Sequence, residues 1–128
     1  MSLNYYNIDT LHPEILTIGT YTEFAPFSYE INGKILGSDI TFLTKFANHI
    51  GYQTNIVTMS FSELWKAPDQ NRCDISAAGI MSRNNRDIGN NAKWSNTYMI
   101  VHRSLLIKKQ DIDQFSTPSG FLGKKIVV

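Results

Sequence analysis

Gly79 and Arg86 lie close together in the run Asp74 to Arg86, where an apolar, small-residue strand delivers the glycine to a turn and an arginine follows in an Asn-rich segment. A strand end without a side chain at Gly79 leaves backbone groups approachable. A guanidinium held nearby offers a planar fork for a carboxylate. Alone, the same pattern also fits a tight turn followed by a solvated arginine, so its meaning depends on what flanks it.

Two aromatics around a proline, Phe24-Ala25-Pro26-Phe27, occupy another loop. Proline stiffens such a loop, and an aromatic face can stack on a flat or cationic ligand. One of the two rings is expected to pack back over the sheet instead. Phe61 presents the same choice between ligand and core. Cys73 is the single cysteine, so neither an intrachain disulfide nor a cysteine-based metal site can form; it reads as a small buried core residue. His12, His49 and His102 are far apart and show no ligand spacing, so no metal and no cofactor is expected.

These side chains need elements to position them. Ile15 to Gly19 reads as a short buried strand. Asn32-Gly33 between Tyr29–Ile31 and Lys34–Leu36 signals a hairpin. A helix from about Ser38 to Ile50 is capped by Ser38 or Asp39, packed by Ile40, Leu43, Phe46, Ala47 and Ile50, and ended by Gly51. Tyr52 to Thr58 is a β-branched strand. Ser60 to Glu63 has the form of a capping box opening a short helix that Pro68 ends. Cys73 to Ala78 is the third strand.

Strand, helix, strand, helix, strand implies a parallel sheet covered by helices, an α/β class. Ligands of such sheets bind outside the carboxyl ends of the strands. Here those ends lead into Gly19–Phe27, Thr58–Phe61 and Gly79–Arg86, so all three loops open on one edge. Beyond them, Tyr98–Lys109 alternates apolar and polar early and then reads Leu105-Leu106-Ile107, Gln110–Gly120 is a loop, and Gly123–Val128 reads as a strand.

The 128 residues suffice for one domain, and 42% hydrophobic content supports a core. A net charge of +1 with scattered Lys and Arg argues against nucleic-acid binding through phosphates. No apolar run reaches the length of a membrane span, no secretory leader stands at the start, and Met1-Ser2-Leu3 is compatible with a removed one.

In order along the chain, Gly19-Thr20, Phe24 to Tyr29, Asn32-Gly33-Lys34, Gly37-Ser38-Asp39, Asp74, Ala78-Gly79, Arg86, Trp94-Ser95 and Tyr98 resemble the family 3 extracellular solute-binding proteins. These are polar amino-acid receptors of ABC importers, with the periplasmic-binding type II fold. The resemblance implies that residues 1–98 are most of lobe 1 without its return segment, 99–102 the first hinge crossover, and 103–128 the start of lobe 2. It implies ligand contacts from Phe24, Phe61, Gly79 and Arg86: aromatics around the ligand, a backbone contact to its amino group, and a clamp on its α-carboxylate. Tyr98 to His102 correspond to the hinge, and Asp39 and Asp74 to structural caps.

Met81 departs from the family, which carries Thr or Ser there to donate to the carboxylate; either the ligand differs or Ser82 substitutes. Arg83 replaces a frequent Thr, and the stretch between Arg86 and Trp94 is longer than usual.

The function implied is capture of a polar amino acid or related small carboxylate, in the periplasm or outside the cell, for delivery to a membrane permease. The same segments also resemble periplasmic cyclohexadienyl dehydratases, which act on prephenate or arogenate and for which Glu23 is a candidate acid. A sensory ligand-binding module is the third alternative. The early end of the chain leads to two further expectations: weak or absent amino-acid binding by these residues alone, and pairing with a second copy through the unfinished sheet.

Overall fold

In the computed structural model residues 7–127 are described. The chain divides into two compact units, one ending at Ser95 and one beginning at Asn96.

The first unit is built on a three-stranded parallel sheet. Strand β1 (Ile15–Thr20) is followed by β2 (Glu23–Phe24), β3 (Ser28–Ile31), β4 (Lys34–Leu36), helix α1 (Ser38–His49), β5 (Gln53–Thr58), helix α2 (Phe61–Leu64) and β6 (Ile75–Ala77). The order β5-β1-β6 places β1 in the centre, and Leu16 to Thr20 are all buried, as a strand flanked on both sides must be. Ile18 stands beside Ile56 on one side and Ile75 on the other, all running parallel. The carboxyl ends of the three strands therefore share one edge. The hairpin β3–β4, with β2 antiparallel to β3, forms a second small sheet after the first loop.

Helix α1 covers the parallel sheet with Ile40, Leu43, Ala47 and Ile50 against Leu16, Ile18 and Tyr52. Phe46 departs from expectation, being 40% exposed beside the exposed Phe42. At about 100° per residue it falls just outside the stripe centred on Leu43 and Ala47, so the sheet does not reach it.

The cap is also not the expected one. Gly37 is the N-cap, so neither Ser38 nor Asp39 holds that position. The first turn is satisfied by backbone instead: Ser38 N–H donates to the Pro26 carbonyl at 2.9 Å and Asp39 N–H to that of Phe27 at 3.1 Å. This close approach requires glycine. Gly37 has φ 135°, and a Cβ there would lie 2.1 Å from the Phe27 carbonyl oxygen.

The capping box at α2 is formed, with Glu63 accepting from the Ser60 N–H at 3.4 Å. The helix stops at Leu64, earlier than Pro68. Asp74 ties the start of β1 in place by accepting from the N–H groups of Leu11 and Thr17, 2.7 Å each. Cys73 is buried, as expected, and burial pushes its thiol up from the usual range.

The second unit has no strand among its described residues. Short 3₁₀ turns form at Lys109–Asp111 and Pro118–Phe121, and Phe121, ending the second, stacks on Phe115 with ring centroids 4.7 Å apart. No strand is formed over Tyr98–His102, which the resemblance assigns to the hinge, and the strand expected over Gly123–Val128 is not formed over its described residues, Val128 lying outside them. Alternation favours an extended backbone, but a strand exists only where a neighbour completes its hydrogen bonds.

Candidate functional site

The loop after β1 carries Tyr21, Glu23, Phe24 and Phe27, and its Ala25–Pro26 peptide is cis. Phe27 is half-buried, while Phe24 remains 41% exposed, their centroids 5.3 Å apart. Both rings lie against Gly79. A Cβ on Gly79 would come within 2.6 Å of Phe24 Cε1 and 2.8 Å of Phe27 Cδ2, and the residue has φ 59°. The glycine expected from the sequence thus allows the third strand end to pass beneath the first loop's aromatics.

Two polar links hold these strand ends together. Buried Thr20 places its Oγ1 2.7 Å from both the Ser28 hydroxyl and the Ala77 carbonyl, joining β1, β3 and β6. Asp39, at the start of α1, accepts the Gly79 N–H at 2.7 Å. That bond occupies the N–H, so the group Gly79 can offer to a ligand ammonium is its carbonyl.

The loop after β5 opens α2, which presents Phe61 and, one turn on, Trp65. The rings meet edge to face with centroids 5.5 Å apart, and Tyr21 from the first loop packs on Phe61 at 5.7 Å. Arg86 lies over this pair, its Cζ 5.4 Å from the Phe61 centroid and 4.9 Å from that of Trp65. Both distances are within the range in which a guanidinium is attracted to a ring face. One Nη1–H donates to the Met81 carbonyl at 2.7 Å. Position 81, where the resemblance leads one to expect a hydroxyl, thus holds the arginine through its backbone.

The segment around Arg86 is pinned to the end of α2. Lys66 and Asp87 form an ion pair at 2.6 Å, which holds the Asp87 carboxyl below its ordinary range. Asp69 accepts the Asn91 N–H at 2.8 Å and lies directly under Gly89. In the first loop, Tyr21 donates to Glu23 at 3.0 Å, and this bond raises the phenol above its usual value, with desolvation adding to it. Glu63 is lowered by the Ser60 hydroxyl and by Arg72, which it meets at 3.0 Å.

Among the residues singled out from sequence, Phe24, Phe61, Gly79, Met81 and Arg86 lie in the first unit at the carboxyl edge of its sheet. Tyr98 and His102 lie in the second unit, both exposed. Sequence reasoning missed Trp65 and Tyr21. The four-residue spacing of Phe61 and Trp65, which puts both on one side of a helical turn, was the available signal for the first. No three His, Cys, Asp or Glu among the described residues gather as a metal site.

Proteins of solved structure share this fold. Domain 1 of TmArgBP in its arginine-bound form is 26% identical and superposes with a TM-score of 0.53 over 56% of this chain and 57% of its own. An ancestral arginine-binding protein bound to arginine is 28% identical, with a TM-score of 0.52 over 56% of this chain and 32% of that one. An ancestral cyclohexadienyl dehydratase is 27% identical, with a TM-score of 0.64 over 80% of this chain and 42% of that one. The chain thus spans 57% of the first of these and less of the other two. No curated protein matches the sequence. Residues 16–118 match the bacterial extracellular solute-binding proteins, family 3, and with its parallel α/β sheet of the periplasmic-binding type II kind this chain belongs to that family.

Proposed function

We propose that this chain carries the ligand-binding lobe of a solute-binding protein that captures a polar amino acid, outside the cytoplasm, for an ABC importer. The observation that carries this reading is Arg86, held by the Met81 carbonyl and two ring faces at the edge where strand-end loops converge. A guanidinium fixed in this way keeps its fork geometry and loses little freedom on binding a carboxylate. Phe24 shields the ligand's side chain, and the Gly79 carbonyl accepts from its ammonium. Tyr98 to His102 act as the hinge to a second lobe, whose closure excludes water.

The arginine-bound domain 1 of TmArgBP supports looking for binding by this chain alone. The expectation of weak affinity stands beside it, because a second lobe supplies contacts too. Calorimetry of the 128-residue chain with L-arginine, L-glutamine and L-cystine tests the reading. Binding of one of them, abolished when the ligand lacks its α-carboxylate (agmatine in place of arginine), is the expected outcome. Equal binding of agmatine and arginine would overturn the carboxylate clamp.

The dehydratase reading has one specific observation in its favour, the superposition over 80% of this chain on an ancestral cyclohexadienyl dehydratase. In that reading Glu23, already hydrogen-bonded to Tyr21, is the acid near the leaving hydroxyl. No partner base is identifiable. Prephenate turnover that is lost in Glu23→Gln would favour the enzyme, and binding without turnover would favour the receptor.

A further inference from the structure

Trp65 lies 4.9 Å from the Arg86 guanidinium, nearer than Phe61, and it is half-buried at the C-cap of α2. The next residue along each segment makes a second link, the 2.6 Å ion pair of Lys66 with Asp87. Two adjacent residues on the α2 turn thus hold two adjacent residues of the arginine segment. The ion pair is well exposed and contributes little energy, so the ring contact is the stronger of the two restraints.

From this geometry we infer that Trp65 is a positioning residue for carboxylate recognition: its ring contact restrains the Arg86 guanidinium and thereby raises affinity for a carboxylate. The inference deepens the carboxylate-clamp reading of Arg86 and rests on it. The physical reason is restraint from several sides. A guanidinium is attracted to aromatic ring faces within about 6 Å, and the Phe61 and Trp65 rings, their planes 77° apart, bound Arg86 in two directions. One Nη1–H is committed to the Met81 carbonyl. Without Trp65 the side chain regains rotamer freedom that a ligand must remove again on binding.

The test uses the 128-residue chain with Trp94→Phe, so that Trp65 is its one remaining tryptophan. Trp65→Phe and Trp65→Leu are compared in that background, with L-arginine as the probe. Two readouts are recorded: calorimetric affinity, and the NMR resonance of the Arg86 Nε–H, which ring currents displace from the random-coil position. Trp65→Leu should weaken L-arginine binding about five- to twentyfold and return the resonance toward random coil, whereas Trp65→Phe should stay within about threefold and keep it displaced. The emission of Trp65 should change on adding L-arginine and not on adding agmatine.

An unmoved resonance in Trp65→Leu overturns the stacking. A moved resonance with unchanged affinity overturns the positioning role while leaving Arg86 as a clamp. If the parent chain fails to bind L-arginine, the same series is run with L-glutamine and L-cystine. Failure of all three is the outcome expected where a second lobe supplies needed contacts, and the resonance then decides: an Arg86 Nε–H at its random-coil position in the parent overturns the positioning role of Trp65.

Discussion

Buried Asp39, at the first turn of α1, accepts the backbone N–H of Gly79 at 2.7 Å across a separation of 40 residues. This single bond ties the helix that covers the sheet to the strand end that supports the candidate site. Loop carbonyls meanwhile accept from the first N–H groups of the helix, Pro26 from Ser38 and Phe27 from Asp39.

Asp39→Ala should therefore cost about 2–3 kcal/mol, since it removes a charged acceptor from a buried amide. Urea denaturation followed by far-UV dichroism measures this. A loss below about 0.5 kcal/mol would mean that water satisfies the Gly79 N–H, making the link dispensable.

Arg86→Ala should reduce binding of a carboxylate ligand by about 2–4 kcal/mol, by loss of a charge-assisted pair. Arg86→Lys should recover only part of this, because an ammonium lacks the planar fork. Calorimetry showing full recovery in the lysine variant would mean that charge alone, not geometry, is used.

Gly79→Ala should destabilise the fold by about 1–3 kcal/mol, combining a left-handed backbone with a Cβ driven into Phe24 and Phe27. The rings must move, so the variant should also lose ligand affinity. Chemical shifts of the two phenylalanine rings that match the parent would show that the contact is not present in solution.

The Glu63 carboxyl sits below its ordinary value of 4.5, first because of the Ser60 hydroxyl and then Arg72. A carboxyl lowered on folding favours the folded state in its ionised form. Its contribution is therefore present above pH 4.5 and lost as pH falls through the lower folded value. Melting temperatures should fall less steeply in Glu63→Gln than in the parent as pH drops below that point. Parallel slopes would show that the α2 cap does not titrate.

The second unit exposes Ile100 at 79% and Leu106 completely. Apolar residues exposed along an extended segment with no strand partner favour association. Light scattering of the chain should show assemblies that grow with concentration, and Ile100→Lys with Leu106→Lys should shift them toward monomer. A monomer at high concentration in the parent would refute this.

Much of the first unit could be read from the sequence because its signals are local. Asn32-Gly33 marked the hairpin, Ser60 with Glu63 opened α2, and the Ile40, Leu43, Ala47, Ile50 stripe marked α1. The alternation of strands and helices implied that Gly19, Thr58 and Gly79 lead out on one edge of a parallel sheet, and the register bears that out. What depended on tertiary structure was every relationship between distant segments. The contact of Arg86 with the Trp65 ring needs α2 and the loop after β6 to meet, and nothing in the spacing of 65 and 86 encodes that distance. The exposure of Phe46 depended on how far the sheet extends under α1, and the Asp39–Gly79 bond on where two loops cross. Gly123 to Val128 make the same point in reverse: the apolar run predicted a strand, none is formed over its described residues, and a strand requires ladder pairing that sequence pattern alone cannot supply.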